Sequence, residues 1–121
     1  MENRYAPGLH LLIDYFGVAL LTDKTALQDA MTGAAAAAGA QVLSAHFHQF
    51  PDRAGITGVV LLAESHISIH TWPELSYAAI DIFMCGDTDA HKAADHLRST
   101  LTPERVTLRE VQRNHASQPS L

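Results

Sequence analysis

Eleven residues, Glu64-Ser65-His66-Ile67-Ser68-Ile69-His70-Thr71-Trp72-Pro73-Glu74, hold two carboxylates, two serine hydroxyls and two imidazoles. The apolar run Gly58-Val59-Val60-Leu61-Leu62 leads into them. A core strand does not need such a cluster, and burying it without partners is costly. At Glu64-Ser65 the serine hydroxyl can attack the carbonyl of the residue before it and turn amide into ester. Elimination of that ester cuts the chain and leaves dehydroalanine, which hydrolyses to a pyruvoyl group and ammonia. The route needs a polarised or strained peptide, a base for the serine α-proton and a donor to hold the oxyanion. Glu-Ser pairs are common, and on the residues alone an ordinary strand serine is the commoner outcome.

The histidines raise a second chemistry. His66 and His70, with His46 and His48, alternate along strands so that each pair shares a face and could bind zinc, with Cys85 as a further ligand. Nothing fixes a four-ligand spacing, and no metal is assigned. Read alone, Cys85 is a small buried hydrophobe, Phe50 a core aromatic, Glu74 a solvated turn carboxylate and His70 a structural histidine. Trp72 is expected to pack. Asp14, a carboxylate on an apolar strand near His10, is expected to face the site.

These residues need elements to position them. His10 to Phe16 reads as a strand closed by Gly17, after a loose arm over residues 1–7. Thr22 or Asp23 caps a helix from Lys24 to Ala38, with Leu27, Ala30, Met31, Ala34 and Ala38 inward and Gly39 as its left-handed cap. Gly33 within it costs about 1 kcal/mol relative to Ala. Gln41 to Phe50 is a second strand and Pro51 to Gly55 a turn. Ile56 to Ala63 is a third strand, which the cluster continues as Ser65 to His70. Pro73 then takes the chain out of regular pairing. Tyr77 to Cys85 is a fourth strand, with Asp81 and Cys85 on one face and Ile80, Ile82 and Met84 on the other. Asp87 or Thr88 caps a second helix to Leu101, with Ala90, Ala93, Ala94, Leu97 and Leu101 inward. Pro103 blocks its continuation. Val106 to Val111 is a last strand before a polar tail. The order of strand, helix, three strands, helix, strand predicts a two-layer α+β sandwich, a mostly antiparallel sheet with two helices on one face. The bare sheet face then calls for a partner, most simply a second copy.

Composition narrows the class. The 121 residues make one domain, 47% hydrophobic, with net charge −5 from 8 basic and 13 acidic residues. The lack of a basic block argues against a nucleic-acid partner. No apolar run reaches membrane-spanning length and no signal peptide is read at the N-terminus. A lone cysteine fits a reducing cytoplasm.

Glu64-Ser65-His66 with Ile69-His70-Thr71-Trp72-Pro73-Glu74 resembles the cleavage-site motif of the short prokaryotic S-adenosylmethionine decarboxylases. The resemblance runs from Gly8-Leu9-His10 to about Val111 and includes Phe83-Met84-Cys85-Gly86. It implies a dimer with active sites at or near the subunit contact. It also implies self-cleavage into chains 1–64 and 65–121, with Ser65 converted to the pyruvoyl cofactor. That carbonyl condenses with the substrate amine as a Schiff base and takes up electrons as CO2 leaves. By the same resemblance His70 is the processing base, Thr57 stands where the family usually has a serine that assists processing, and Cys85 is the proton donor to the α-carbon. Phe50 matches the position that stacks on adenine, and Glu74 the one that accepts from ribose hydroxyls. The product would be the aminopropyl donor of spermidine synthesis.

Two positions depart from the family pattern: Leu9, where a basic residue is usual, and Gly17-Val18, where Gly-Cys often stands. The family resembles, and includes, relatives whose substrate is a basic amino acid, so ornithine or arginine is the alternative substrate. A non-catalytic small-molecule-binding homologue is a further alternative, disfavoured because Glu64, Ser65, His70 and Cys85 are retained together.

Overall fold

A computed structural model describes residues 8–113 except 20 and 53, so the expected N-terminal arm and the tail from 114 lie outside the described residues. The elements are β1 (Gly8–Phe16), α1 (Lys24–Ala37), β2 (Val42–Gln49), β3 (Ile56–Leu62), β4 (Ser65–Trp72), β5 (Tyr77–Met84), α2 (Ala90–Leu101) and β6 (Arg105–Arg113). All pairings are antiparallel, in the order β2-β3-β4-β5-β1-β6. The expected α+β sandwich is present.

One expectation is corrected. Ile56 to His70 does not run on as one strand. It folds back as the hairpin β3–β4, with Leu62 opposite Ser65 and only Ala63 and Glu64 in the turn. The sheet therefore has one strand more than expected. Two-residue hairpin turns usually announce themselves with Gly, Asn or Asp, because they need positive φ. Here Glu64 takes φ 65°.

Asp23 caps α1 by accepting from the Ala26 amide. Gly39, at φ 79°, closes it, with the amides of Gly39 and Ala40 bonding back to Ala36 and Ala35. Gly33 has a packing reason: a β-carbon there would come within 2.6 Å of His96 Nε2 on α2. The cap of α2 is Asp89, not Asp87 or Thr88. Its carboxylate accepts from the amides of His91 and Lys92.

Leu27, Met31 and Leu97 from the helices meet Leu11, Ile13, Val60, Ile67, Ile69 and Ile82 from the sheet, all at 3% exposure or less. This alternation leaves the other sheet face free of helices among the described residues. Across β1, β5 and β4 that face carries rungs His10–Phe83–His66, Leu12–Asp81–Ser68, Asp14–Ala79–His70 and Phe16–Tyr77–Trp72. His66, Ser68 and His70 are thereby kept out of the core, while Thr71 is buried with its hydroxyl bonded to the Ile56 amide and the Leu21 carbonyl.

Candidate active site

Glu64 and Ser65 lie at the turn that begins β4. A left-handed conformation costs a residue with a β-carbon about 1–2 kcal/mol, so the Glu64–Ser65 peptide begins from a strained residue. The Cys85 thiol, just past β5, donates to the Glu64 carbonyl oxygen at 3.2 Å. Ser65 Oγ is buried with no hydrogen-bond partner among the described residues. An unsatisfied buried hydroxyl costs about 1–3 kcal/mol and calls for a reason. One corner thus holds a serine hydroxyl without a partner among the described residues, a strained residue before it and a thiol donor on that residue's carbonyl.

Behind it, Asp81 on β5 gathers groups from the two flanking strands, β1 and β4. Its Oδ2 accepts from His10 Nε2 at 2.7 Å and His66 Nε2 at 2.9 Å, and its Oδ1 accepts from the Ser68 hydroxyl. Burial disfavours the Asp81 charge, yet the hydrogen bonds from Ser68, His10 and His66 and the attraction of His66 hold its carboxyl below the usual range. Farther along, Asp14 accepts from the hydroxyls of Tyr77 at 2.5 Å and Thr107 at 3.1 Å. The hydrogen bond to Asp14, then burial and the Asp14 charge, push Tyr77 up to about 12.

The opposite end of the hairpin carries a cleft lined by Phe50, Thr57, His70, Trp72 and Glu74. Thr57 Oγ1 lies 3.3 Å from His70 Nδ1 across the β3–β4 pair. Trp72 both packs on Tyr77, with ring centroids 5.4 Å apart, and lines the cleft.

The expected residues therefore form two groups. Glu64, Ser65 and Cys85 meet at one end; Thr57, His70, Phe50 and Glu74 meet at the other. Five residues of strand, about 16 Å, separate Ser65 from His70. The two also alternate in register, Ser65 with the buried Ile67 and His70 with the helix-free face. Asp14 shares a shallow groove with His70 and Asp81. The suggested set of His46, His48, His66 and His70 does not gather: His46 turns to Ser44, and His66 joins His10 and Asp81. Sequence reasoning missed His10 and Asp81 as site neighbours. Their one signal was polarity on strands of buried register.

Fold and site together define a two-layer α+β enzyme with its candidate catalytic groups at the two ends of one antiparallel hairpin. The chain belongs to the S-adenosylmethionine decarboxylase family, whose model matches residues 9–114. It is 44% identical to the S-adenosylmethionine decarboxylase proenzyme of Persephonella marina, over 88% of this chain and 81% of that one. The proenzyme of the same name from Clostridium tetani is 39% identical, over 93% and 90%. The crystal structure of the adenosylmethionine decarboxylase from Aquifex aeolicus VF5 superposes with a TM-score of 0.80 at 37% identity, covering 98% of this chain and 99% of that one. No helix among the described residues is long and apolar enough to cross a membrane.

Proposed function

We propose that this chain is a self-processing, pyruvoyl-dependent S-adenosylmethionine decarboxylase that works as a pair of copies in the cytoplasm and supplies the aminopropyl donor for spermidine synthesis. The observation that carries the reading is the Glu64–Ser65 corner, with its strained turn, its thiol on the carbonyl and its unpartnered serine hydroxyl. These are features that a pyruvoyl precursor requires, so the residues fit the group. Once formed, the pyruvoyl group serves as the electron sink for loss of CO2.

In processing, Ser65 Oγ attacks the Glu64 carbonyl while the Cys85 S–H holds the developing oxyanion. The amide becomes an ester as the serine nitrogen is released. Loss of the Ser65 α-proton then expels the Glu64 carboxylate, and water and ammonia exchange at residue 65. Chains 1–64 and 65–121 result. In turnover the same thiol delivers a proton to the substrate carbon that has lost CO2.

The α-proton needs a base, and within one chain His70 is about 16 Å away. A second copy removes the difficulty. A two-fold axis across β4, between two helix-free faces, lays the Ser65 end of one copy over the His70 end of the other. Each site would then take Glu64, Ser65 and Cys85 from one chain and Thr57, His70, Phe50 and Glu74 from its partner. Leu12, Leu61, Trp72 and Val111 support this pairing: they are 37–42% exposed on the helix-free face, an apolar surface that a second copy would cover. The cleft volume agrees. At about 230 Å³ it is smaller than the ~300–1,000 Å³ of ordinary small-molecule sites, as expected of half a site.

The cleft favours S-adenosylmethionine over ornithine or arginine. Phe50 offers an exposed ring for adenine, and Glu74 two acceptor oxygens for ribose hydroxyls. A basic amino acid needs only a carboxylate for its distal cation; Asp14 is already engaged by Tyr77 and Thr107, and a substrate that recruited Glu74 would leave the Phe50 ring unused. Phe50→Ala and Glu74→Gln will each raise KM for S-adenosylmethionine by about tenfold with little change in kcat, because both bind ground state and transition state alike. Steady-state CO2 release from S-adenosylmethionine, ornithine and arginine tests this. Turnover on either amino acid with none on S-adenosylmethionine would reassign the substrate.

Cys85→Ala will slow self-cleavage by about 10²-fold, the typical loss for one oxyanion donor, and will cut turnover further once processed. Intact mass against time reads the first effect and CO2 release the second. Full wild-type turnover in the processed mutant would reduce Cys85 to a packing residue.

A further inference from the structure

We propose that Asp81, backed by His10, is a positioning residue that holds His66 and, through it, the leading peptide of the 65–121 chain after self-cleavage. The inference rests on the reading of Ser65 given above. It concerns a network that the cleavage chemistry itself does not use.

His66 directly follows Ser65. In the intact chain, residue 65 is tied to β3 by the two-residue turn and by the terminal pair Leu62–Ser65. Cutting the Glu64–Ser65 bond removes the turn and makes residue 65 a chain end. Chain ends at strand termini fray unless something ties them down. The one covalent link that residue 65 keeps is its amide to His66. Three contacts restrain the His66 side chain, one of them the His10 ring, edge-on with centroids 6.1 Å apart. Its Nε2 donates to Asp81 Oδ2 at 2.9 Å, and its ring centroid lies 6.0 Å from that of Phe83.

Asp81 is itself held firmly. His10 Nε2 donates to the same oxygen, and Ser68 occupies the other. Arg113 Nη1, which can only donate, lies 3.0 Å from His10 Nδ1, so His10 carries its proton on Nε2, toward Asp81. The same arrangement speaks against an ion among His10, His66 and Asp81, whose ligand atoms lie within 4.8 Å of one another. A metal on His10 Nε2 would need that nitrogen bare and a proton on Nδ1, facing Arg113. The cluster is thus suited to carry protons, and its pull converges on the residue next to the reactive one.

Four variants separate positioning from packing. His66→Phe keeps a ring against Phe83 and loses the donor. His66→Gln restores an N–H at similar reach. Asp81→Leu removes the acceptor while keeping the branched shape, and the fourth variant combines His66→Phe with Asp81→Leu. Cleavage is read by intact mass, backbone exposure by hydrogen exchange of residues 65–72 in the processed protein, and turnover by kcat and KM for S-adenosylmethionine. Cleavage should go to completion in all four. Exchange over 65–72 should accelerate in His66→Phe and Asp81→Leu, with kcat down about 10–100-fold, the scale of an ångström-level misplacement. KM should stay within about twofold. His66→Gln should recover most of both readouts, and the double variant should be no worse than either single.

Wild-type exchange and kcat in His66→Phe would overturn the proposal. So would a Gln variant as impaired as Phe, additive losses in the double variant, or failure of both His66→Phe and Asp81→Leu to cleave, which would set the network before the cut. A wild-type protein that neither cleaves nor decarboxylates would instead remove the reading of Ser65, an outcome visible without any variant.

Discussion

Ser65→Ala will remain one 121-residue chain and will release no CO2 from S-adenosylmethionine. The backbone through the turn is unchanged by the substitution, and so is the thiol on the Glu64 carbonyl. What disappears is the oxygen that attacks. The neighbouring Ser68 hydroxyl cannot stand in, because it is bonded to Asp81. The mutant should also fold at least as well as wild type. Removing a buried hydroxyl that has no partner relieves about 1–3 kcal/mol of desolvation cost, so the melting temperature should hold or rise. Loss of activity therefore cannot be charged to misfolding. Wild type, by contrast, should give two masses, for residues 1–64 and 65–121, the second blocked to Edman sequencing. A Ser65→Ala protein that is cut at 64–65, or that decarboxylates, would end the proposed chemistry.

Two inactive proteins should restore each other. Ser65→Ala has no nucleophile. His70→Ala lacks the base for the α-proton and should stall as an uncut precursor that hydroxylamine cleaves at the ester. Expressed alone, each is dead. Co-expressed, they form mixed pairs in which one site inherits both lesions and the other inherits neither. Random pairing makes about half of all pairs mixed, each with one live site of two, so activity should recover to roughly a quarter of wild type. Only the His70→Ala chain should be cut, because it alone retains Ser65. A site complete within one chain predicts no recovery at all. Intact mass of the co-purified chains decides between the two before any assay of turnover.

Much of this was legible in the sequence. The helices were found because α1 and α2 each carry an inward stripe at helical spacing, and because Asp23 and Gly39 mark ends by well-understood geometry. The hairpin turn was missed for a physical reason. Ala63-Glu64 contains no residue that favours positive φ, and Leu62 through His70 reads as uninterrupted strand. A local rule is broken where the proposed chemistry would use strain, which is where sequence reasoning is expected to fail. The division of the site into two ends comes from β4 itself, because Ser65 and His70 lie five residues apart on one extended strand, and closeness in sequence alone suggests near neighbours. His10 and Asp81 were hidden otherwise. They lie 71 residues apart and meet only because β1 pairs with β5, a pairing that local pattern does not reveal.

The strand order β2-β3-β4-β5-β1-β6 also bears on how the protein is made. Cleavage at the turn would divide the sheet between two chains, the first supplying β1, β2 and β3 and the second β4, β5 and β6. They would not part as two halves, because β1 of the first chain lies between β5 and β6 of the second. Three strand seams would join the pieces, and the two helices pack together across the same division. The precursor folds as one molecule, at a rate independent of its concentration. The matured protein, once denatured, would have to find its other piece by diffusion and rebuild an interleaved sheet around a turn that no longer exists. Maturation would thus make assembly a one-way passage, in which the continuous chain acts as its own scaffold and is then discarded as a connection.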